Sequence, residues 1–171
     1  MPSPSPAIRI EATCLTETHH ARALLDMLEH YARDPMGGGT PLSDQTRHTL
    51  IDALKLRRDF VSFLAFDGPR PVGLVNCFEG FSTFAAQPLL NIHDIAVHAD
   101  YRGRGIGRQL LAAAEQAARA RGCCKLTLEV LSNNHPAMQA YVHAGFAPYA
   151  LDPAAGHALF MQKWLDTPPG T

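Results

Sequence analysis

Arg102-Gly103-Arg104-Gly105-Ile106-Gly107 is the stretch on which the reading of this chain turns. Ahead of it, Leu89 to Val97 is an apolar run carrying Asn91, His93 and Asp94; behind it, Ile106, Leu110, Leu111, Ala114 and Ala118 recur at helical spacing up to Gly122. The pattern predicts a strand, a glycine turn and a helix. Glycines at 103, 105 and 107 let the backbone bend tightly and leave no Cβ in a ligand's way. Amides that converge where a helix begins, together with the positive end of its dipole, form an anion site. Arg102, Arg104 and Arg108 add charge suited to a ligand with more than one phosphate.

The residues after Gly107 exclude two phosphate-binding motifs. A nucleoside-triphosphate loop needs Gly-Lys and then Ser or Thr, whereas Gly107 precedes Arg108 and Gln109. A dinucleotide fingerprint needs a third glycine where Arg108 stands. The pattern that does fit is Arg/Gln-x-x-Gly-x-Gly/Ala at Arg102, Gly105 and Gly107, and here the sequence resembles the GCN5-related N-acetyltransferases, which hold the pyrophosphate of acetyl-CoA with that motif. A glycine turn with solvated arginines is the plain alternative for the hexapeptide alone.

A second motif lies downstream. Lys125 to Leu131 alternates, with Leu126, Leu128 and Val130 on one face and Lys125, Thr127 and Glu129 on the other, which predicts a strand facing solvent or a cleft. Asn134 then caps a short helix that tolerates Pro136 in its first turn and closes at Gly145-Phe146. Asn134, Ala137, Tyr141, Gly145 and Phe146 match the family's Asn-x-x-Ala-x-x-x-Tyr-x-x-x-Gly-Phe. Two motifs in this order, with a strand between them, are far more specific than either alone.

Composition bounds the rest. A chain of 171 residues suits one domain with a proper core, read here as residues 7–165 between flexible ends at 1–6 and 166–171. A net charge of −1 offers no basic field for nucleic acid. Neither a basic and apolar leader nor an apolar run of about 20 residues is found, so a soluble, cytoplasmic protein with no membrane partner is expected. Cys14, Cys77, Cys123 and Cys124 lack the spacing of a zinc or redox site and read as reduced thiols.

Taken in order, the chain predicts a strand at Ala7 to Thr13, helices at Glu17 to Arg33 and from Ser43 or Asp44, and strands at Phe60 to Phe66 and Pro71 to Phe78. Further strands are expected at Leu89 to Val97, Lys125 to Leu131, Ala147 to Leu151 and His157 to Trp164. Gly37, Gly38 and Gly39, between the first two helices, read as a flexible loop rather than a second phosphate cradle. Phe78, Phe81 and Phe84 read as core, with a wall of the acceptor site as the alternative. The order predicts an α/β fold: a mixed, mostly antiparallel twisted sheet of about seven strands with helices on both faces.

The resemblance implies more. Acetyl-CoA enters between splayed central strands and pairs with the backbone of Ile95, Ala96 and Val97, whose last amide faces the thioester oxygen. The turn Arg102, Gly103, Arg104, Gly105, Ile106, Gly107 and Arg108 holds the pyrophosphate, and Asn134, Ala137 and Tyr141 complete the cofactor site. The helix–helix loop borders the acceptor. Partners are acetyl-CoA and an amine, from a small molecule or a protein; no metal is implied, and a homodimer stays open.

The implied chemistry is an N-acetyltransferase acting by direct amine attack on the thioester, without a protein nucleophile. The amine must lose a proton and the departing thiolate must gain one. Tyr141 stands where the family's tyrosine reaches the sulfur, against the reading of a packed aromatic. For the base, Glu129 lies twelve residues before Tyr141, as in relatives that acetylate protein N-termini. His93 lies where relatives acting on aromatic amines carry a histidine. Asp94 faces the other way on a regular strand unless a bulge turns it. Glu129 is preferred narrowly over His93. A non-catalytic acyl-CoA-binding module on the same fold is the alternative function.

Overall fold

The computed structural model describes residues 7–152, 154, 156 and 158–165. It divides into two compact units, one ending at Leu128 and the other starting at Glu129. The first holds one five-stranded sheet in the order β1-β2-β3-β4-β5, formed by β1 (Arg9–Ala12), β2 (Phe60–Asp67), β3 (Arg70–Ser82), β4 (Gln87–Val97) and β5 (Leu126–Leu128). The first three pairings are antiparallel and β4–β5 is parallel, so the sheet is mixed and mostly antiparallel as expected.

Helices cover both faces. α1 (Thr18–Arg33) and α2 (Asp44–Lys55) close over Leu64, Phe66 and Leu74 with Leu24, Met27 and Leu54. α2 begins where Ser43 Oγ accepts the Thr46 amide at 3.1 Å, satisfying one of the donors a helix start leaves open. α3 (Ile106–Ala120) takes the opposite face, burying Ile106, Leu110, Leu111, Ala114 and Ala118, the five residues whose spacing predicts it. It lies so close to β3 that a Cβ on Gly73 would stand 3.0 Å from Leu110 and 3.1 Å from Ile106. Gly122, at φ +68°, ends it.

The expectation of about seven strands is corrected to five among the described residues. Residues 147–151 and 158–164 form no strand, and His157 lies outside the described residues. Apolar, β-prone composition does not make a strand without a ladder partner, and Pro148 has no N–H to give one. β5 is likewise shorter than Lys125 to Leu131, which leaves Glu129 one residue past its end. The aromatic triplet separates: Phe78 packs against the core, whereas Phe81 and Phe84 are exposed on the hairpin between β3 and β4. A spacing of three would align them on a helix, not on a strand. Residues 1–6 and 166–171, expected to be flexible, lie outside the described residues. No described helix is long and apolar enough to cross a membrane.

In the second unit, α4 (His135–His143) starts with Asn134 Oδ1 accepting the Ala137 amide at 3.4 Å and with Pro136 in its first turn. Gly145, at φ +92°, closes it, and the Phe146 amide returns to Tyr141 O at 2.9 Å.

Candidate functional site

β4 carries a bulge. Cys77 pairs with Ile92 and Asn76 with Asp94, so His93 has no opposite residue on β3. Asn76 and Phe78 share the face packed against α1 and α2, and their partners Asp94 and Asn91 share it too. His93 joins them, its ring meeting Phe78 edge-on at 5.4 Å. The bulge therefore brings Asp94 round to the face that a regular strand would have denied it.

The bulge also redirects the backbone. Before it, the Leu90 amide bonds to Lys125 O, and the β5 ladder covers only Leu90, Asn91 and Ile92. After it, the His98 amide bonds to Val72 O, so antiparallel alternation points the groups of Ala96 towards β3 and those of Ile95 and Val97 away. No described strand pairs with that edge. Val97 O takes a bond from Arg102 Nε, and the remaining peptide groups of Ile95 and Val97 form a short run open to an extended ligand.

At the end of this edge the chain passes a single 3-10 turn, Ala99–Tyr101, and reaches the glycine turn. Gly103 and Gly105 adopt φ of +75° and +78°, a region that side chains with a Cβ rarely occupy. Gly105 is the cap of α3 and has no side chain to bond the first turn. The first intrahelical bond runs from Gln109 N–H to Gly105 O, leaving the amides of Ile106, Gly107 and Arg108 without helical acceptors. These donors and the helix dipole face an anion best at this end.

The three arginines are not equivalent. Arg102 donates from Nε to Val97 O at 3.2 Å and from Nη2 to Asp34 Oδ2 at 2.7 Å. Arg104 bonds Asp100 O at 3.0 Å and lies over the Tyr101 ring, whose hydroxyl donates to Asp67. Arg108, unlike Arg102 with its ion pair and Arg104 with its bond to Asp100 O, makes neither an ion pair nor a side-chain hydrogen bond among the described residues, so its charge is the least committed of the three.

Around Asp94, Asn76 is buried at 2 % exposure and donates from Nδ2 to Asp94 Oδ2 at 3.1 Å. With Nδ2 turned to the carboxylate, Asn76 Oδ1 is left buried without a donor among the described residues. Burial first, then the Asp94 and Asp34 carboxylates, push the Tyr31 phenol above its usual range. Burial likewise pushes the Cys77 thiol up to about 12, which makes it inert as a nucleophile.

In the second unit, Glu129 is exposed and Tyr141 is half-buried with its ring 5.9 Å from that of Phe146. Asn134 and Ala137 are joined by the cap of α4. A separate cluster, Glu11, His19 and His20, brings three ligand types together near the start of α1. His20 Nδ1 accepts the Cys14 amide at 3.0 Å, so its proton sits on Nε2, facing Glu11 at 3.2 Å. An ion there would have to displace that proton.

A model of the acetyltransferase (GNAT) family matches residues 24–146. The chain belongs to that family. Streptothricin acetyltransferase of Streptomyces lavendulae is 42 % identical over 92 residues, 49 % of this chain and 49 % of that one. The chain thus spans about half the length of such curated relatives. Among solved structures, a transcriptional regulator from Bacillus halodurans C-125 superposes with a TM-score of 0.75 at 20 % identity, covering 92 % of this chain and all of that one. An aminoglycoside N-acetyltransferase in complex with CoA gives 0.73 at 18 % identity, covering 95 % and 98 %. These likenesses establish the fold.

For this GNAT chain, sequence reasoning missed Asn76, Tyr31 and Asp34. Asn76 sits in an otherwise apolar strand, Val72 to Phe78, and a lone polar residue there was a readable signal. Asp34 and Tyr31 gave none, because Arg102 beside the first and Asp94 near the second lie far along the chain.

Proposed function

We propose that this GNAT chain, over residues 7–165, transfers the acetyl group of acetyl-CoA to a primary amine by direct attack. The observation that carries the reading is the open edge at Ile95 and Val97 running into the unsatisfied amides at the start of α3. An extended arm ending in a diphosphate, as in CoA, has amide groups for the first and negative charge for the second. The similarity to thialysine N-epsilon-acetyltransferase of Bos taurus, 35 % identical over 78 residues, supports an amine acceptor.

The proton transfers fall to two side chains. Tyr141 protonates the leaving thiolate, and Glu129 takes the proton from the amine, directly or through a water. The bulge favours Asp94 as the rival base, since it shares a face with His93. The test is thiol release from acetyl-CoA across an amine panel, followed against pH. Amine-dependent release is expected, with an acidic limb that flattens in Glu129→Gln and persists in His93→Gln and Asp94→Asn. A limb lost only in Asp94→Asn or only in His93→Gln moves the role to that residue. Tight CoA binding with no release on any amine would identify a non-catalytic acyl-CoA module instead.

A further inference from the structure

Asp34 organises two segments at once. It follows the last residue of α1, and its carbonyl accepts the amides of Gly37, Gly38 and Gly39 at 2.8, 3.1 and 3.0 Å. Its Oδ1 accepts the Met36 amide at 2.9 Å, and the Thr40 amide returns to Ala32 O at 3.0 Å. A Cβ on Gly37 would stand 2.0 Å from Tyr31 O, so the turn folds back on α1 more closely than any other residue permits. The glycine run, read from the sequence as a loop rather than a cradle, makes a hydrogen-bonded turn with its amides spent on Asp34 and not turned outward.

The other Asp34 oxygen reaches 68 residues along the chain to Arg102, the first arginine of the phosphate turn. That bond first, then the Met36 amide, holds the Asp34 carboxyl below its usual range, so the pair stays ionised at neutral pH. Arg102 is the bridge. A guanidinium has five N–H donors in one plane, and here Nε is used on Val97 O and one Nη2 proton on Asp34. The remaining donors, on Nη1 and Nη2, belong to a side chain that is 55 % exposed. A guanidinium already fixed by a carboxylate loses little freedom when a second anion arrives.

We propose that Asp34 is a positioning residue for the cofactor turn, holding Arg102 so that its open donors meet the diphosphate and coupling that turn to the Asp34–Thr40 loop. This rests on the reading of the turn as the CoA site. Coupling is reciprocal: a ligand that fixes Arg102 strengthens the loop, and a strengthened loop favours the ligand.

Amide hydrogen exchange of the full chain, with and without CoA, tests it. In the wild type CoA should slow exchange at the amides of Ile106 to Arg108 and, by about five-fold or more, at Gly37 to Gly39. In Asp34→Asn the slowing at 37–39 should vanish while that at 106–108 persists, and CoA should bind about five-fold more weakly. Slowing at the turn but not at the loop in the wild type overturns the inference and leaves the cofactor reading standing. No slowing at the turn overturns the cofactor reading, and this one with it. Unchanged or tighter CoA binding in Asp34→Asn would make Asp34 a competitor for Arg102 rather than its positioner, which also overturns the proposal.

Discussion

Tyr141→Phe should lower kcat about 100-fold or more and leave CoA affinity within about two-fold. The substitution removes one hydroxyl. The ring contact with Phe146 is kept, and the bonds that close α4, from the Ala144 and Phe146 amides to Tyr141 O, use only the backbone. A loss of that size equals about 2.7 kcal/mol of transition-state stabilisation, within the range of one general acid. Steady-state thiol release at saturating acetyl-CoA measures it. If Tyr141 only packs, kcat will be nearly unchanged, and the thiolate must take its proton from solvent.

Gly107→Val should weaken CoA binding about 10- to 100-fold while the fold survives. Two charge-assisted bonds from helix amides, at about 1.5–3 kcal/mol each, are in reach of a bulky side chain placed over them, and each 1.4 kcal/mol is a factor of ten. The fold should tolerate the change because Gly107 lies inside α3 and, outside the helix's own backbone, its Cβ would meet among the described residues only Val97 Cγ2, at an ordinary 3.8 Å. Gly105 is a poorer choice for this test. At φ +78° any Cβ there adds about 1–2 kcal/mol of backbone strain, which would mix folding with binding. Calorimetric titration, with thermal melting as the folding control, checks the result; unchanged affinity in a folded Gly107→Val protein would remove the diphosphate from this turn.

Local features were legible in the sequence because they depend on neighbours. The inner stripe of α3, the glycines with positive φ, and the Asn134 cap with its Gly145 close all follow from spacing and backbone chemistry within a few residues. The bulge was not legible. It is a mismatch between β3 and β4, and nothing in Ile92-His93-Asp94 alone says which residue lacks a partner. Arg102 illustrates the same limit for charge: its position marked it for the cofactor, but its engagement with Asp34 depends on a segment 68 residues away. The strands expected after Phe146 failed for the complementary reason, since a β-prone segment becomes a strand only when another edge accepts it.

A crystal structure of the protein with CoA tests most directly whether the edge of β4 and the first turn of α3 form one continuous cofactor site. Diphosphate oxygens should lie about 2.7–3.2 Å from amides between Gly103 and Arg108, with the pantetheine amides bonded to Ile95 or Val97. Bound CoA whose diphosphate sits elsewhere, with those amides facing water, would contradict the account.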